Sequence, residues 1–390
     1  MFHQLFKLKV GGVIVVNEAN KILSVYTSDT SGVCSALYEL DGMCVMHDAS
    51  GCNSTYNTHD EPRWYDIPSR VYLSGISEYE AILGDESKLI NDCVKTAKEQ
   101  KPKFIALAPT PIPYMMGQDI KAIAKEIQRK TDISTFAIET NGMNSYILGA
   151  SQALLEWAKI FVNKEKKLNK NKVKKINIIG ATPLDFCNYE IVVSIINSIK
   201  DMGFEINSVW SMGPLTKNMK NSNNADFNLV ISSLGLKVAK YLKQEFDIPY
   251  LVALPFGKEQ TDKIKKAILN GNENIDIDTK ANSKIAIIGE SVYSKAIKNL
   301  IGEGIIFTLL GDDEKLLSRD DVLEKGEESL KNNLKNYSYV IGDPLFKHIV
   351  SKDVNFIEMP HFAFSGRMYK KNIINLVNNN GDLWREEINL

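Results

Sequence analysis

Residues 175–185 read KINIIGATPLD, and residues 284–291 repeat the pattern as KIAIIGES. Each is a short, almost continuous apolar run that closes on glycine and a small or acidic residue. This pattern is typical of a strand buried on both faces of a parallel sheet. A helical stretch follows each run, so each predicts the first strand of an α/β unit, whose ligands bind at the carboxyl ends of the strands.

Similar apolar runs recur along the chain in three sets of four. The first set covers residues 43–48, 70–75, 103–109 and 133–140; the second covers 175–185, 204–211, 226–233 and 248–257; the third covers 284–291, 304–312, 337–343 and 354–360. The expected fold is α/β, with three Rossmann-like domains, each a mainly parallel four-stranded sheet flanked by helices. A lysine-rich stretch at 163–175 and a polar stretch at 270–284 separate the sets. We therefore expect a first domain at residues 1–165, a second at 176–275, and a third with a carboxyl-terminal segment at 283–390.

Composition and missing motifs narrow the function. The formal charge of −1 does not suggest nucleic acid or a membrane surface as the main partner, so neither is expected. No export signal or membrane-spanning run is evident, which predicts a cytoplasmic protein. No phosphate loop or complete GxGxxG motif occurs, so nothing indicates that this chain itself binds ATP or a dinucleotide.

Two cysteines stand out as candidate metal ligands. Cys34 follows Ser31 and Gly32 at the predicted start of a helix, where the helix dipole favours a thiolate, and Cys52 lies in a loop after the first predicted strand. An iron-sulfur cluster commonly needs four thiolates, so two per chain predict a cluster shared with a second chain, either a copy or a related subunit. The alternative, that both are ordinary buried thiols, remains open from the spacing alone.

Other residues near these cysteines have plainer interpretations. We expect Cys44, Cys93 and Cys187 to pack in the core, because they interrupt apolar strands or helices or follow a buried loop. Arg63 and Trp64 follow Cys52 and are candidates to support its loop or to form part of a partner surface. Ordinary loop packing is an equal alternative for both.

The segment HDASGCN at residues 47–53 resembles the HGPxGC segment that carries a cluster cysteine in the nitrogenase component 1 family, and CSALYELDG at 34–42 resembles the helix with the preceding cysteine. Further similarities lie at residues 74–90, 113–120 and 176–186, so the resemblance covers most of the chain. It implies an oxidoreductase that receives electrons from a P-loop ATPase reductase of the nitrogenase iron-protein type.

Two departures from the family pattern change the expected chemistry. Pro111 occupies the place of a third cluster cysteine, which implies a smaller cluster, 4Fe-4S, in place of the eight-iron cluster. Ser232 corresponds to the cysteine that holds the nitrogenase cofactor, and a hydroxyl is a poor substitute for a soft thiolate. His361 stands in the region of the cofactor's histidine ligand. The resemblance therefore argues against dinitrogen as the substrate.

Several residues are candidates to line a cleft between the domains. His361 and Arg367, with Tyr369 nearby, are positioned in sequence to supply a proton donor and an anion-binding group. Glu139 and Asn141, which follow the fourth strand of the first set, are further candidates, Glu139 as a catalytic residue. A structural histidine at a strand end is the alternative for His361.

Three functions remain open at this point. The first is a nitrogenase-like oxidoreductase component acting on a small molecule or a tetrapyrrole. The second is a scaffold that binds a metallocluster or tetrapyrrole during assembly and releases it without turnover. The third is a cluster-free α/β binding or transferase protein, which would be indifferent to the loss of Cys34 or Cys52.

Overall fold

The computed structural model describes most of the chain. The described residues are 7–10, 13–16, 20–24, 27–49, 61–165, 173–275, 277, 279–280, 283–311 and 316–389. Near the amino terminus, β1 (Lys7–Val10) pairs with β2 (Val13–Val16) as an antiparallel hairpin.

The first parallel sheet has four strands in the order β4-β3-β5-β6. Its elements are α1 (Asp29–Leu37), β3 (Met43–His47), β4 (Val71–Leu73), α2 (Glu78–Leu83), α3 (Ser87–Gln100), β5 (Ile105–Pro109), α4 (Pro111–Met116), α5 (Ile120–Thr131), β6 (Thr135–Ala137) and α6 (Tyr146–Phe161). All four predicted strands are present, and β3 and β5 are buried along their whole length.

The second sheet is also parallel and four-stranded, in the order β10-β9-β7-β8. Its elements are β7 (Lys175–Ile179), α7 (Pro183–Phe186), α8 (Tyr189–Asp201), β8 (Glu205–Val209), β9 (Phe227–Val230), α9 (Leu236–Phe246), β10 (Tyr250–Val252) and α10 (Lys258–Asn270), with 3-10 turns at Thr216–Asn224 and Ser233–Gly235. The central strand β7 begins the quoted stretch KINIIGATPLD, as predicted.

The third sheet has five parallel strands, one more than predicted, in the order β13-β12-β11-β14-β15. Its elements are β11 (Ile285–Ile288), α11 (Ser291–Ile301), β12 (Ile305–Thr308), β13 (Val322–Leu323), α12 (Glu327–Leu334), β14 (Tyr339–Gly342), β15 (Asn355–Glu358), α13 (Phe362–Ser365) and α14 (Asn379–Ile388), with 3-10 turns at Pro344–His348 and Gly366–Asn372. Within the described ranges, no helix is both long enough and apolar enough to pass through a bilayer.

Buried side chains from all three sheets contribute to one hydrophobic cluster, the largest of three found among the described residues. The largest cluster joins Leu37 on α1, Trp157 on α6, Trp210 after β8 and Phe307 on β12. Trp157 and Trp210 meet edge to face, with ring centroids 5.7 Å apart, a favoured aromatic geometry. The helix α6 therefore links the first sheet to the other two.

Glycine at two positions lets α1 and α6 touch backbone to backbone. A Cβ atom at Gly32 would lie 2.2 Å from the carbonyl oxygen of Tyr146, and one at Gly149 would lie 2.0 Å from that of Asp29. No side chain fits either gap, because real Cβ contacts are never this short. The contact fixes Tyr146 at the first turn of α6, facing the second sheet.

Candidate active site

The carboxyl ends of the second and third sheets meet at a buried pair of ionisable side chains. Asp185 lies on α7, directly after β7, and His361 follows β15. Their Oδ1 and Nε2 atoms are 3.3 Å apart, and both side chains are more than nine-tenths buried. The hydroxyl of Tyr146 donates a hydrogen bond to the same Oδ1 atom. Asp185, which follows a strand of the second sheet, therefore contacts Tyr146 of the first unit and His361 of the third.

The His361 ring is held by its backbone and by aromatic edges. Asp343, at the end of β14, accepts hydrogen bonds from the His361 backbone N–H (2.8 Å) and the Ser365 hydroxyl (2.7 Å). The rings of Tyr293 and Phe364 meet the imidazole edge to face, with centroids 6.0 and 5.2 Å away. Burial raises the pKa of Tyr293 well above its usual value, so this phenol stays protonated.

A second buried acid, Glu290, ties the two sheets together. It caps α11 by accepting a hydrogen bond from the Tyr293 backbone N–H at 2.7 Å, and its other oxygen accepts the Ser233 N–H at 2.9 Å. Glu290, Tyr293 and His361 also line one small cavity beside Gly289 and Gly342. This cavity lies between β11 and β14, where the strand order of the third sheet reverses, which is the usual ligand position in such sheets.

Several buried polar atoms of the second and third units lack hydrogen-bond partners within the described residues. Among the residues that the structure describes, no hydrogen bond is found for the hydroxyls of Ser211, Ser232 and Ser233 or for either ring nitrogen of His361. Asp185 is within ion-pair distance of Nε2 of His361, but the two groups are not aligned for a hydrogen bond. Because buried polar groups are almost always hydrogen-bonded, the two unbonded ring nitrogens make His361 a candidate ligand contact.

The structure places Cys34 differently from the sequence prediction. The helix α1 begins at Asp29, so Cys34 is its sixth residue, and the prediction of a helix-start thiolate is wrong. A hydrogen bond with the Cys44 thiol, together with burial, raises the pKa of Cys34 well above its usual value. Its side chain is 0% exposed in the core. A ligand shared across a subunit interface must reach the surface, so Cys34 as placed here does not fit that role.

The other candidate ligand, Cys52, lies outside the described residues. The described residues resume at Glu61, and Arg63 is 2% exposed and forms ion pairs with Glu39 (2.9 Å) and Glu61 (2.7 Å). Arg63 also donates a hydrogen bond to the Ser35 carbonyl at 2.8 Å, so it fastens residues 61–63 to α1. No group of three potential metal ligands is found in the described part of the chain.

The structure does not bring the remaining predicted site residues to His361. Glu139 is exposed and pairs with Lys121 at 2.7 Å, on the surface of the first sheet. Arg367 is exposed in the turn after α13, and Asn141 binds Met143 and Asn144 within its own loop. The prediction that Glu139 shares a cleft with His361 is therefore not supported. By contrast, the packing predicted for Cys44, Cys93 and Cys187 is confirmed, since all three are at most 4% exposed.

A different polar cluster lies at the carboxyl end of the first sheet. His47 contacts the Ser74 hydroxyl through Nδ1 (2.9 Å) and the Gln118 carbonyl oxygen through Nε2 (2.8 Å). Asp48 accepts a hydrogen bond from the Thr110 hydroxyl at 2.6 Å. Burial lowers the pKa of His47, so this imidazole stays neutral near pH 7.

The sequence did not single out Asp185, Tyr146, Glu290 or Tyr293. Asp185 and Glu290 carry a usable signal, because each follows the apolar run of a predicted central strand within the two quoted stretches. Tyr146 and Tyr293 carry no such signal, since the sequence does not distinguish a functional tyrosine in an amphipathic helix from one that only packs in the core.

Comparison with known proteins identifies the family to which the chain is similar. A sequence model of the family described as Nitrogenase component 1 type Oxidoreductase matches residues 29–292. A light-independent protochlorophyllide reductase subunit from Crocosphaera subtropica is 27% identical over 257 residues, covering 61% of this chain and 50% of that protein. The corresponding reductase subunit from Porphyra purpurea is 27% identical over 252 residues, covering 60% and 49%.

Solved structures support the fold. A structure of nitrogenase Cp1 at pH 6.5 superposes with a TM-score of 0.68 at 16% identity, covering 96% of this chain and 94% of that one. The chain belongs to the nitrogenase component 1 type oxidoreductase family. It spans about half the length of the curated relatives that it matches.

Proposed function

We propose that this chain is the substrate-reducing subunit of a nitrogenase-like oxidoreductase, and that its substrate binds beside His361 at the junction of the second and third sheets. The observation that carries the proposal is that neither ring nitrogen of the buried His361 forms a hydrogen bond with the described residues, while Asp185 lies within ion-pair distance. The substrate is a small molecule or a tetrapyrrole; dinitrogen is disfavoured because Ser232 offers a hydroxyl where a soft ligand is needed. The names of the protochlorophyllide reductase relatives support a tetrapyrrole.

The geometry suits proton delivery. Reducing one double bond adds two electrons and two protons, and an imidazole is the side chain best matched to proton transfer near neutral pH. Oδ1 of Asp185 lies 3.3 Å from Nε2 of His361, so this carboxyl group is placed to orient the ring. Tyr146 holds Asp185 in place through its hydroxyl. In this assignment His361 is the proton donor, and Asp185 and Tyr146 position it.

The electrons are proposed to come from a separate P-loop ATPase reductase, because that division of labour is what the family resemblance implies. The same resemblance implies a 4Fe-4S cluster shared with a second copy or a related subunit. Since Cys34 does not fit the bridging position, we assign no step to a cluster here. If a cluster is present, Cys52 is the remaining candidate ligand of this chain.

The assay for the proposed function combines this protein, the reductase, ATP and protochlorophyllide, and follows tetrapyrrole reduction by absorption under anaerobic conditions. We expect Asp185→Asn to lower kcat by about 10²-fold, since general acid catalysis contributes about 10²–10⁴. We expect KM to change little. A matched control is Asp201→Asn at the end of α8, an exposed acid far from the site. Equal kcat for wild type and Asp185→Asn would contradict the assignment.

Iron and sulfide analysis of the anaerobically purified protein addresses the cluster separately. Cys52→Ala is expected to lose bound iron, whereas Cys34→Ala is expected to keep it because Cys34 is buried in the core. Iron loss in both variants would restore Cys34 as a ligand.

The alternative, an assembly scaffold, also accounts for a polar cluster without hydrogen bonds, because such a scaffold needs a binding site too. The two functions differ in turnover. Repeated product formation per protein molecule in the assay above supports the oxidoreductase, while a single bound and released molecule supports the scaffold.

A further inference from the structure

The chain just before α1 contacts the third unit at two places. This pre-α1 segment comprises residues 20–24 and 27–28. One contact is with Glu327, the first residue of α12, and the other is with Ala363 on α13. The helix α13 begins directly after His361, so the second contact lies beside the proposed proton donor.

The contact with Glu327 is made by three successive backbone N–H groups. Oε2 of this carboxylate accepts hydrogen bonds from the backbone of Lys21 (3.1 Å), Ile22 (2.9 Å) and Leu23 (2.7 Å). Successive N–H groups that converge in this way are a common way to bind an anion. Burial acts to raise the pKa of Glu327, but these hydrogen bonds hold the pKa below its ordinary value. The ionised carboxylate therefore fixes the first half of the segment.

The second contact joins the segment to the helix that follows His361. Thr27 donates two hydrogen bonds to the Ala363 carbonyl oxygen, from its backbone N–H (3.0 Å) and from its hydroxyl (3.1 Å). A helix of four residues has little stability of its own, so outside contacts determine where α13 lies. Asp343 supplies such contacts from the third unit, and Thr27 supplies them from the first.

Thr27 also contacts the other half of the proposed active site. Its carbonyl oxygen accepts a hydrogen bond from the Tyr146 backbone N–H at 3.0 Å, and the Tyr146 hydroxyl binds Asp185. One residue therefore connects the backbone beside His361 with the residue that holds Asp185. Leu23 and Thr27 are four positions apart, at most about 14 Å of extended chain, so fixing residues 21–23 restricts Thr27 as well.

We propose that the pre-α1 segment positions the pair of His361 and Asp185, with Thr27 as the contact residue and Glu327 as the group that holds the segment. Neither Thr27 nor Glu327 touches the substrate site, so both are positioning residues. The catalytic meaning of the pair rests on the proposed function. The mechanical link between the segment and His361 does not, and it is tested without turnover.

Hydrogen exchange of the Lys21, Ile22 and Leu23 amides tests the role of Glu327 in the full chain. In Glu327→Ala these amides should exchange at least about tenfold faster, because hydrogen bonds to charged groups are among the stronger ones. Lys21 and Ile22 are exposed, so their N–H groups can turn to water and only the segment should open. The matched control is Glu328→Ala, which removes only an exposed contact with the Lys21 side chain and should leave exchange unchanged.

The ring resonances of His361 in NMR spectra test the role of Thr27. They are assigned by their loss in His361→Gln. Thr27→Val removes the hydroxyl but keeps the shape, and it should move these resonances, whereas Thr27→Ser should restore them. Glu327→Ala should move them too, and the ring resonances of His47 should stay in place throughout. Thr27→Val leaves Glu327 intact, so the test stands even where Glu327→Ala folds poorly.

The turnover assay then connects the segment to catalysis. Glu327→Ala and Thr27→Val should lower kcat by about tenfold with little change in KM, because misplaced reacting groups slow the chemical step. Unchanged exchange of the three amides in Glu327→Ala, or unmoved His361 resonances in Thr27→Val, would overturn the inference. If both respond while Asp185→Asn keeps its kcat, the proposed function fails and the link between the segment and His361 is supported.

Discussion

Two buried polar clusters occupy equivalent places in this fold, at the carboxyl ends of parallel strands, yet they differ in how completely their polar groups are bonded. After β3 and β5, both ring nitrogens of His47 have partners and Asp48 receives the Thr110 hydroxyl. After β9 and β15, the Ser232 hydroxyl and both nitrogens of His361 make no hydrogen bond with the described residues. The first cluster is complete without a ligand, whereas the second is not.

This difference separates structural polar residues from functional ones. Burial alone does not distinguish the two kinds of residue, because His47 and His361 are both buried, at 3% and 6% exposure. A saturated hydrogen-bond network stabilises one arrangement of the chain, and a partly unsaturated one costs stability until something binds. The four predictions that follow test whether the two clusters differ energetically in this way.

The largest effect is expected from Arg63, whose buried ion pairs lie outside both clusters and show how much a bonded buried network contributes. Arg63→Met leaves the buried carboxylates of Glu39 and Glu61 without their partner, so the free energy of unfolding should fall by about 3–5 kcal/mol. Urea unfolding measures the change. As a control, Arg129→Met removes an exposed pair with Glu126 and should change stability little. A similar, small effect for both variants would show that the buried ion pairs contribute no more to the free energy of unfolding than an exposed ion pair does.

A smaller loss is expected at Thr110. Thr110→Val keeps the shape but removes the hydrogen bonds to Asp48 Oδ1 (2.6 Å) and the His47 carbonyl (3.1 Å). Leaving a buried carboxylate short of one donor should cost about 1–3 kcal/mol in urea unfolding. A neutral result would mean that the first cluster is not held by these bonds.

His47 makes the stability of the first cluster depend on pH. Its folded pKa lies below its unfolded value, so the unfolded state binds the proton more readily. The contribution of His47 is fully present above the ordinary histidine pKa and is lost as pH falls through the folded value. Urea midpoints measured across this window should decline less steeply for His47→Gln than for wild type. The exposed His348→Gln should keep the wild-type slope, and an unchanged slope in His47→Gln would contradict the assignment.

The smallest effect, and one of opposite sign, is expected at Ser232. Ser232→Ala removes a fully buried hydroxyl with no described partner, so stability should stay level or rise by up to about 1 kcal/mol. The measurement is again urea unfolding, paired with the turnover assay, in which activity should fall. A clear loss of stability would show that the hydroxyl is already bonded, and the contrast with Thr110→Val would disappear.

The sequence predicted the strands well, because each buried parallel strand is an almost continuous apolar run. The exception is β13, which has only two residues, Val322 and Leu323, neither of them buried. A strand this short, at the edge of a sheet, leaves no pattern to detect. The domain boundaries at residues 1–165, 176–275 and 283–390 stay a prediction.

The site was harder to predict than the fold, for two physical reasons. Ser31 and Gly32 resemble a helix start, but here Gly32 serves the contact with Tyr146 inside α1, so Cys34 was misplaced. The contact between Tyr146 and Asp185 spans 39 positions, and sequence spacing carries no information on such pairs. His361 and Ser232 were reached through a family resemblance, and the completeness of their hydrogen bonding was visible only in three dimensions.

The glycine contact between α1 and α6 has a mechanical consequence. At Gly32 and Gly149 the backbones of the two helices are in direct contact, with no side chain between them. The two helices are therefore expected to move as one rigid pair. In this pair, α1 accepts the hydrogen bond from Arg63 at the Ser35 carbonyl, and α6 carries Tyr146, whose hydroxyl binds Asp185. A small displacement of α1 at Arg63 would therefore also displace Tyr146, and with it the positions of Asp185 and His361.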